Sequence, residues 1–199
     1  MRFPAALVAA LVLVVTSPAS AHGHSKLQFS AAGLANTTVL IIRHAEEAES
    51  GSGLSPAGEL RAQEYARYFR SFMLGEQSLR VDTLVAAADT RASHRPRLTL
   101  EPLSRVTGMP IQQPFHDRDV RDLANWLGQG LPGRTILISW RHGRLPMLMN
   151  ELGLNPTKVL RRGRWPSQVY DWVVVLRFDR DGAVIPAFCG LIREPTPPH

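Results

Sequence analysis

The chain has a single cysteine, Cys189, in 199 residues. No disulfide can close within it, so its stability has to come from packing. No cysteine stands near the end of the first apolar stretch, which excludes a lipid-modified terminus there. That stretch, Ala5 to Val15, is too short to cross a bilayer comfortably. Lys and Arg outnumber Asp and Glu by 23 to 17, but the cations are scattered and not interleaved with aromatics, which argues against a nucleic-acid surface. Gly51-Ser52-Gly53 lacks the Lys-Ser or Lys-Thr of a nucleotide phosphate loop and reads as a connector. There is no internal repeat and no linker that would split the chain, so one domain with a real core is expected.

What is present begins with an address. Arg2, the apolar run and Ala19-Ser20-Ala21 follow the order of a cleavable secretory signal. A signal over residues 1–21 predicts a periplasmic or secreted protein with no membrane span after cleavage. Residues 22–36 are small and polar and read as a flexible lead-in. His22 and His24 within them would open the mature chain, where such a pair can bind copper, although a flexible end is the plainer reading. The domain is expected over 37–193, followed by a Pro-rich disordered tail at 194–199.

Within the domain, Thr38 to Ile42 is a short β-branched run suited to a strand buried on both faces. Similar runs recur at Val81 to Ala87, Thr135 to Trp140 and Trp172 to Phe178, with a weaker one at Ala183 to Phe188. Helical patterns fall between most of them. One opens on Ser55 and Pro56, places Leu60, Tyr65, Tyr68, Phe69, Phe72 and Met73 largely along one side, and stops at Gly75. Others are expected over Arg95 to Val106, Arg118 to Leu127 and Leu145 to Leu152. Alternation of this kind predicts an α/β three-layer sandwich, a mostly parallel sheet with helices on both faces. Ligands then bind beyond the carboxyl ends of the strands.

Two strands deliver chemistry to that rim. The first runs into Arg43-His44, and the run ending at Trp140 leads into Arg141-His142. A lone histidine at a strand end is more often structural than catalytic, but two on one rim point to a shared ligand. Between them, Arg91, Arg95 and Arg97 follow another strand beside the same edge. Phosphoryl transfer asks for positioning and for positive charge around the equatorial oxygens, and Arg matches phosphate with a fork of donors. Trp140, Trp165 and Trp172 read as core.

These residues resemble the histidine phosphatase, or phosphoglycerate mutase-like, superfamily. Its first motif is matched by Arg43-His44-Ala45-Glu46, and its following loop and helix by Leu54 to Gln63. Its second arginine pattern is matched by Arg95 to Leu103, which prefers Arg95 over Arg91, and its second histidine motif by Ser139 to Pro146. The resemblance spans nearly the whole mature domain. It implies the phosphoglycerate mutase-like fold, a small phosphorylated substrate, and a mechanism without metal or cofactor. His44 would attack phosphorus and become phosphohistidine, with Arg43, Arg95 and His142 binding the phosphoryl oxygens and Arg91 beside them.

The proton donor departs from the familiar pattern. In the segment Gln112 to Asp119 the best-placed carboxylate is Asp117, with Asp119 next, and either could instead cap the following helix. The resulting expectation is an exported phosphomonoesterase. An exported phosphate-binding protein of the same fold is the alternative, and a mutase a third reading.

Overall fold

The computed structural model describes residues 31–130 and 132–194. The signal over 1–21, His22 and His24, and the tail beyond Glu194 lie outside the described residues. The β-branched runs pair into one sheet of six strands. They are β1 (Thr38–Arg43), β4 (Thr83–Ala86), β5 (Ile111–Gln112), β6 (Thr135–Trp140), β7 (Trp172–Arg177) and β8 (Gly190–Arg193), arranged in the order β5-β4-β6-β1-β7-β8. Pairs β1–β6, β4–β6 and β4–β5 are parallel, and β7 runs antiparallel to both its neighbours. The sheet is thus mostly parallel, as expected.

Side chains of a strand alternate between faces, and β1 divides its residues between two cores. Val39 and Ile41 pack in one cluster with residues of α3 (Val120–Gly128) and α4 (Leu145–Glu151). Leu40 and Ile42 pack in the other, with Tyr65 and Phe69 of α1 (Pro56–Arg70) and Leu100 and Leu103 of α2 (Arg95–Thr107). This is the three-layer sandwich. Trp140, Trp165 and Trp172 are all buried in the first cluster.

Helix α1 starts where its sequence says. The Ser55 hydroxyl accepts from the Gly58 N–H at 3.1 Å, and Pro56 occupies the first turn. It ends at Arg70, earlier than expected, because Phe72 and Met73 turn into a hairpin of β2 (Phe72–Leu74) and β3 (Gln77–Leu79). Gly75 sits between those strands at φ +61°, a left-handed conformation that favours glycine. Leu60 is 63% exposed and stands off the apolar face.

Three further expectations need correction. Ala183 to Phe188 is no strand: Val184 makes an isolated bridge to Phe178, and Pro186–Phe188 forms a 3-10 turn. Pro186 has no N–H to give a ladder, and the sheet edge is taken by β8. The lead-in is not loose throughout, since Ala32–Leu34 forms a 3-10 turn and Leu34 is fully buried. Glu194, assigned to the tail, is also buried. Among the described residues no helix is long and apolar enough to cross a membrane.

Candidate active site

Parallel register brings the carboxyl ends of three strands to one level, with Arg43 opposite Trp140 and Ala86 opposite Ser139. The chain leaves β1 through His44, whose N–H donates to the Trp140 carbonyl at 3.0 Å. His44 is buried, and its Nδ1 lies 2.8 Å from the Ala45 carbonyl oxygen. A carbonyl only accepts, so Nδ1 carries the proton of the neutral ring and Nε2 keeps its lone pair. Burial pushes His44 down to about 4; the Ala45 hydrogen bond opposes this, and Arg43 and Arg95 add to the lowering. The imidazole is therefore neutral at pH 7.

The turn after His44 is tied to α2. Ala45 N–H donates to Thr99 Oγ1 at 2.8 Å, and that hydroxyl donates to the Arg95 carbonyl at 2.8 Å. The guanidinium of Arg95 donates to the carbonyls of Gly53 and Gly51, at 3.1 and 2.8 Å, and its Nη1 lies 3.3 Å from Glu47. One side chain thus pins the connector loop and still faces the site.

Arg43 lies beneath the site, 1% exposed. Its guanidinium carbon sits 3.7 Å from the centroid of the Tyr170 ring, and Nη1 donates to the Ser167 carbonyl. Burial lowers its pKa, with Tyr170 and Glu47 opposing. His142 begins a 3-10 turn just past β6, and its Nδ1 is buried without a hydrogen-bond partner among the described residues. Its pKa is also lowered, first by burial and then by Arg43 and Arg141.

His44, Arg95 and His142 meet at a cavity of about 180 Å³, and Arg43 stands outside its lining. His44, Glu47, Arg95, Asp117, Arg141 and His142 supply its polar lining, and small residues including Ala87, Ala88 and Ser93 leave it room. Arg91 is not brought in. The Thr90 and Ser93 backbones bond to each other at 3.0 and 3.2 Å, and Arg91 at the tip of that turn is exposed. Asp117 does line the cavity, its carboxylate 3.5 Å from Arg141 Nη1 and its carbonyl accepting from Trp140 Nε1 at 2.8 Å. Asp119 holds the N-cap position of α3 and makes no capping hydrogen bond through its side chain. Neither aspartate is therefore a side-chain cap.

Sequence reasoning missed Glu47, three residues beyond His44 and in contact with Arg43, His44 and Arg95. Nothing in the local pattern separated it from Glu46 and Glu49. Thr99, inside the matched stretch from Arg95 to Leu103, and Tyr170 had no role assigned from sequence, because their contacts with Ala45 and Arg43 arise from packing. Among the described residues no three His, Cys, Asp or Glu side chains gather as a metal-ligand set.

No family model matches the sequence, and no curated protein matches it. Solved structures are similar in fold. One is the protein histidine phosphatase SixA complexed with tungstate, 18% identical, covering 74% of this chain and 92% of that one with a TM-score of 0.51. Another is a SixA phosphohistidine phosphatase structure from Agrobacterium tumefaciens, 18% identical, covering 81% and 99% with a TM-score of 0.50.

Proposed function

We propose that this chain, which has the histidine phosphatase (phosphoglycerate mutase-like) fold, is a phosphomonoester hydrolase working through a phosphohistidine on His44. The observation that carries this is the held imidazole: Nδ1 is bonded to Ala45, while Arg95 and His142 line the cavity beside a neutral ring. In the first step Nε2 attacks phosphorus, the bond from phosphorus to the leaving oxygen breaks, and Asp117 gives that oxygen its proton. In the second, water attacks phosphorus, Asp117 takes the water's proton, and the phosphorus–nitrogen bond breaks to release inorganic phosphate. Arg43, Arg95 and protonated His142 balance the charge on the phosphoryl oxygens throughout. No metal takes part.

The signal read over residues 1–21 extends the proposal to a periplasmic or secreted enzyme acting on a small phosphorylated substrate. The similar structures carry the name of phosphohistidine phosphatases, so a phosphohistidine side chain belongs among the substrates to try beside phosphate monoesters.

The test is turnover of an aryl phosphate by wild type and His44→Ala, in EDTA, with acid-quench trapping of radiolabelled phosphohistidine. Turnover and label are expected in wild type alone. Equal turnover by both proteins overturns the proposal. Oxyanion binding with no turnover of any phosphate, over a broad panel and pH range, replaces it with an exported phosphate-binding protein.

A further inference from the structure

The Glu47 carboxylate stands among the groups assigned to hold phosphate. Its Oε1 is 3.5 Å from Arg43 Nη2 and 3.8 Å from His44 Nε2, and its Oε2 is 3.3 Å from Arg95 Nη1. Two oxygens on one acidic group thus face the nucleophile and both arginines. A phosphoryl group bound for attack by His44 would present its equatorial oxygens to these same donors.

Two features decide what Glu47 does there. The first is side. In an in-line displacement the leaving oxygen lies across phosphorus from the nucleophile. An oxygen 3.8 Å from Nε2 and close to Arg43 is on the nucleophile's side, among the equatorial positions. That is the wrong place for a proton donor to the leaving group.

The second feature is freedom. All three contacts are longer than an ordinary N–H···O hydrogen bond of about 2.7 to 3.2 Å, and the side chain is 41% exposed. The backbone is fixed: Glu47 bridges Leu54, and the Glu46 carbonyl accepts from Ser55 N–H at 3.0 Å. The side chain can therefore swing toward solvent while the loop holds still.

We infer that Glu47 is a resident anion of the phosphoryl cradle, placed where substrate oxygens bind and displaced into solvent when an oxyanion enters. It sets how tightly the site holds phosphate and opposes retention of the product. This rests on the phosphatase reading of the site.

The experiment measures the dissociation constant of tungstate by titration calorimetry on the full chain, for wild type, Glu47→Gln, Glu47→Ser and Glu49→Gln. If the carboxylate fills the cradle nine-tenths of the time, its removal tightens binding about tenfold, because apparent affinity scales with the competent fraction. Both Glu47 variants are expected to show this. Glu49 is exposed two residues along, and its loss should change binding less than about twofold, as expected of a screened surface charge. Unchanged or weaker binding in both Glu47 variants overturns the inference, as does an equal gain in Glu49→Gln, which would make it a matter of net charge. Those results leave the phosphatase reading standing. Failure of every protein, wild type included, to bind tungstate defeats that reading and this inference with it.

Discussion

Arg61 Nη1 lies 3.0 Å from Glu194 Oε2, and the same guanidinium holds Glu46 through Nε and Nη2, each 2.8 Å from Oε1. One cation on α1 thereby joins the loop behind His44 to the end of β8. Burial pushes the Glu194 carboxyl up to about 7 although Arg61 pulls it down, because that charge is shared with Glu46. A further tie runs alongside, as Tyr65 Oη donates to the Tyr170 carbonyl at 2.6 Å, beneath the ring that carries Arg43.

The sign of the pH effect follows from the raised value. Unfolded, Glu194 titrates near its ordinary pKa of about 4.5 and in the fold near 7, so its contribution to stability is full below about 4.5 and is lost as pH rises through 7. His44, lowered from 6.5 to about 4, acts in reverse: its contribution is full above 6.5 and is lost as pH falls through 4. In wild type the two slopes oppose each other between about 4.5 and 6.5. Glu194→Gln removes one of them, and urea denaturation should then show stability rising with pH across that interval more steeply than in wild type. Parallel pH curves for the two proteins would contradict the assignment.

On the proposed mechanism the histidines also set an activity window. Neutral His44 is lost as pH falls through about 4, and protonated His142 is lost as pH rises through a pKa below its ordinary 6.5. The profile of kcat/KM reports the free enzyme, so its maximum is expected on the acid side of 6.5. In His142→Asn the alkaline limb should change position while the acid limb stays. A wild-type optimum above pH 8 would remove His142 from the charged role.

Asp117 faces the cavity beside Arg141, which suits a group that serves the leaving oxygen. Asp117→Asn should lower kcat on alkyl phosphates by about 10² to 10⁴. On an aryl phosphate with an acidic phenol the loss should be much smaller, because that leaving group needs no proton. Equal losses on both classes would make Asp117 a binding residue.

Thr99 is fully buried and its hydroxyl is used twice, by Ala45 N–H and toward the Arg95 carbonyl. Thr99→Val keeps the shape and strands a buried N–H next to His44. A loss of about 1 to 3 kcal/mol in stability is expected, with kcat reduced more than KM is raised. Thermal denaturation and steady-state kinetics check both, and unchanged values would show that the tie does nothing.

Much of the fold was legible because its signals are local. A β-branched run such as Thr38 to Ile42 can be satisfied on both faces only inside a covered sheet, and Ser55-Pro56 starts a helix by its own chemistry. The misreadings also have local causes. Phe72 and Met73 continue an apolar spacing that a strand uses equally well, and Ala183 to Phe188 looks like a strand until the missing N–H of Pro186 is counted.

The site divides along the same line. Strand order puts Arg43-His44 and Arg141-His142 on one rim, and the sequence determined those two pairs by itself, because a residue just past a buried parallel strand has nowhere else to go. Charged side chains further from a strand carry no such constraint. Arg95 is set apart from Arg91 only by the motif it resembles, and Glu46, Glu47 and Glu49 are chemically alike in sequence; tertiary structure turned Arg91 outward, set Glu47 against His44 and buried Glu194 under Arg61. An ion pair between residues 133 positions apart depends on how helices lie on a sheet, and that is decided by the packing of the whole core.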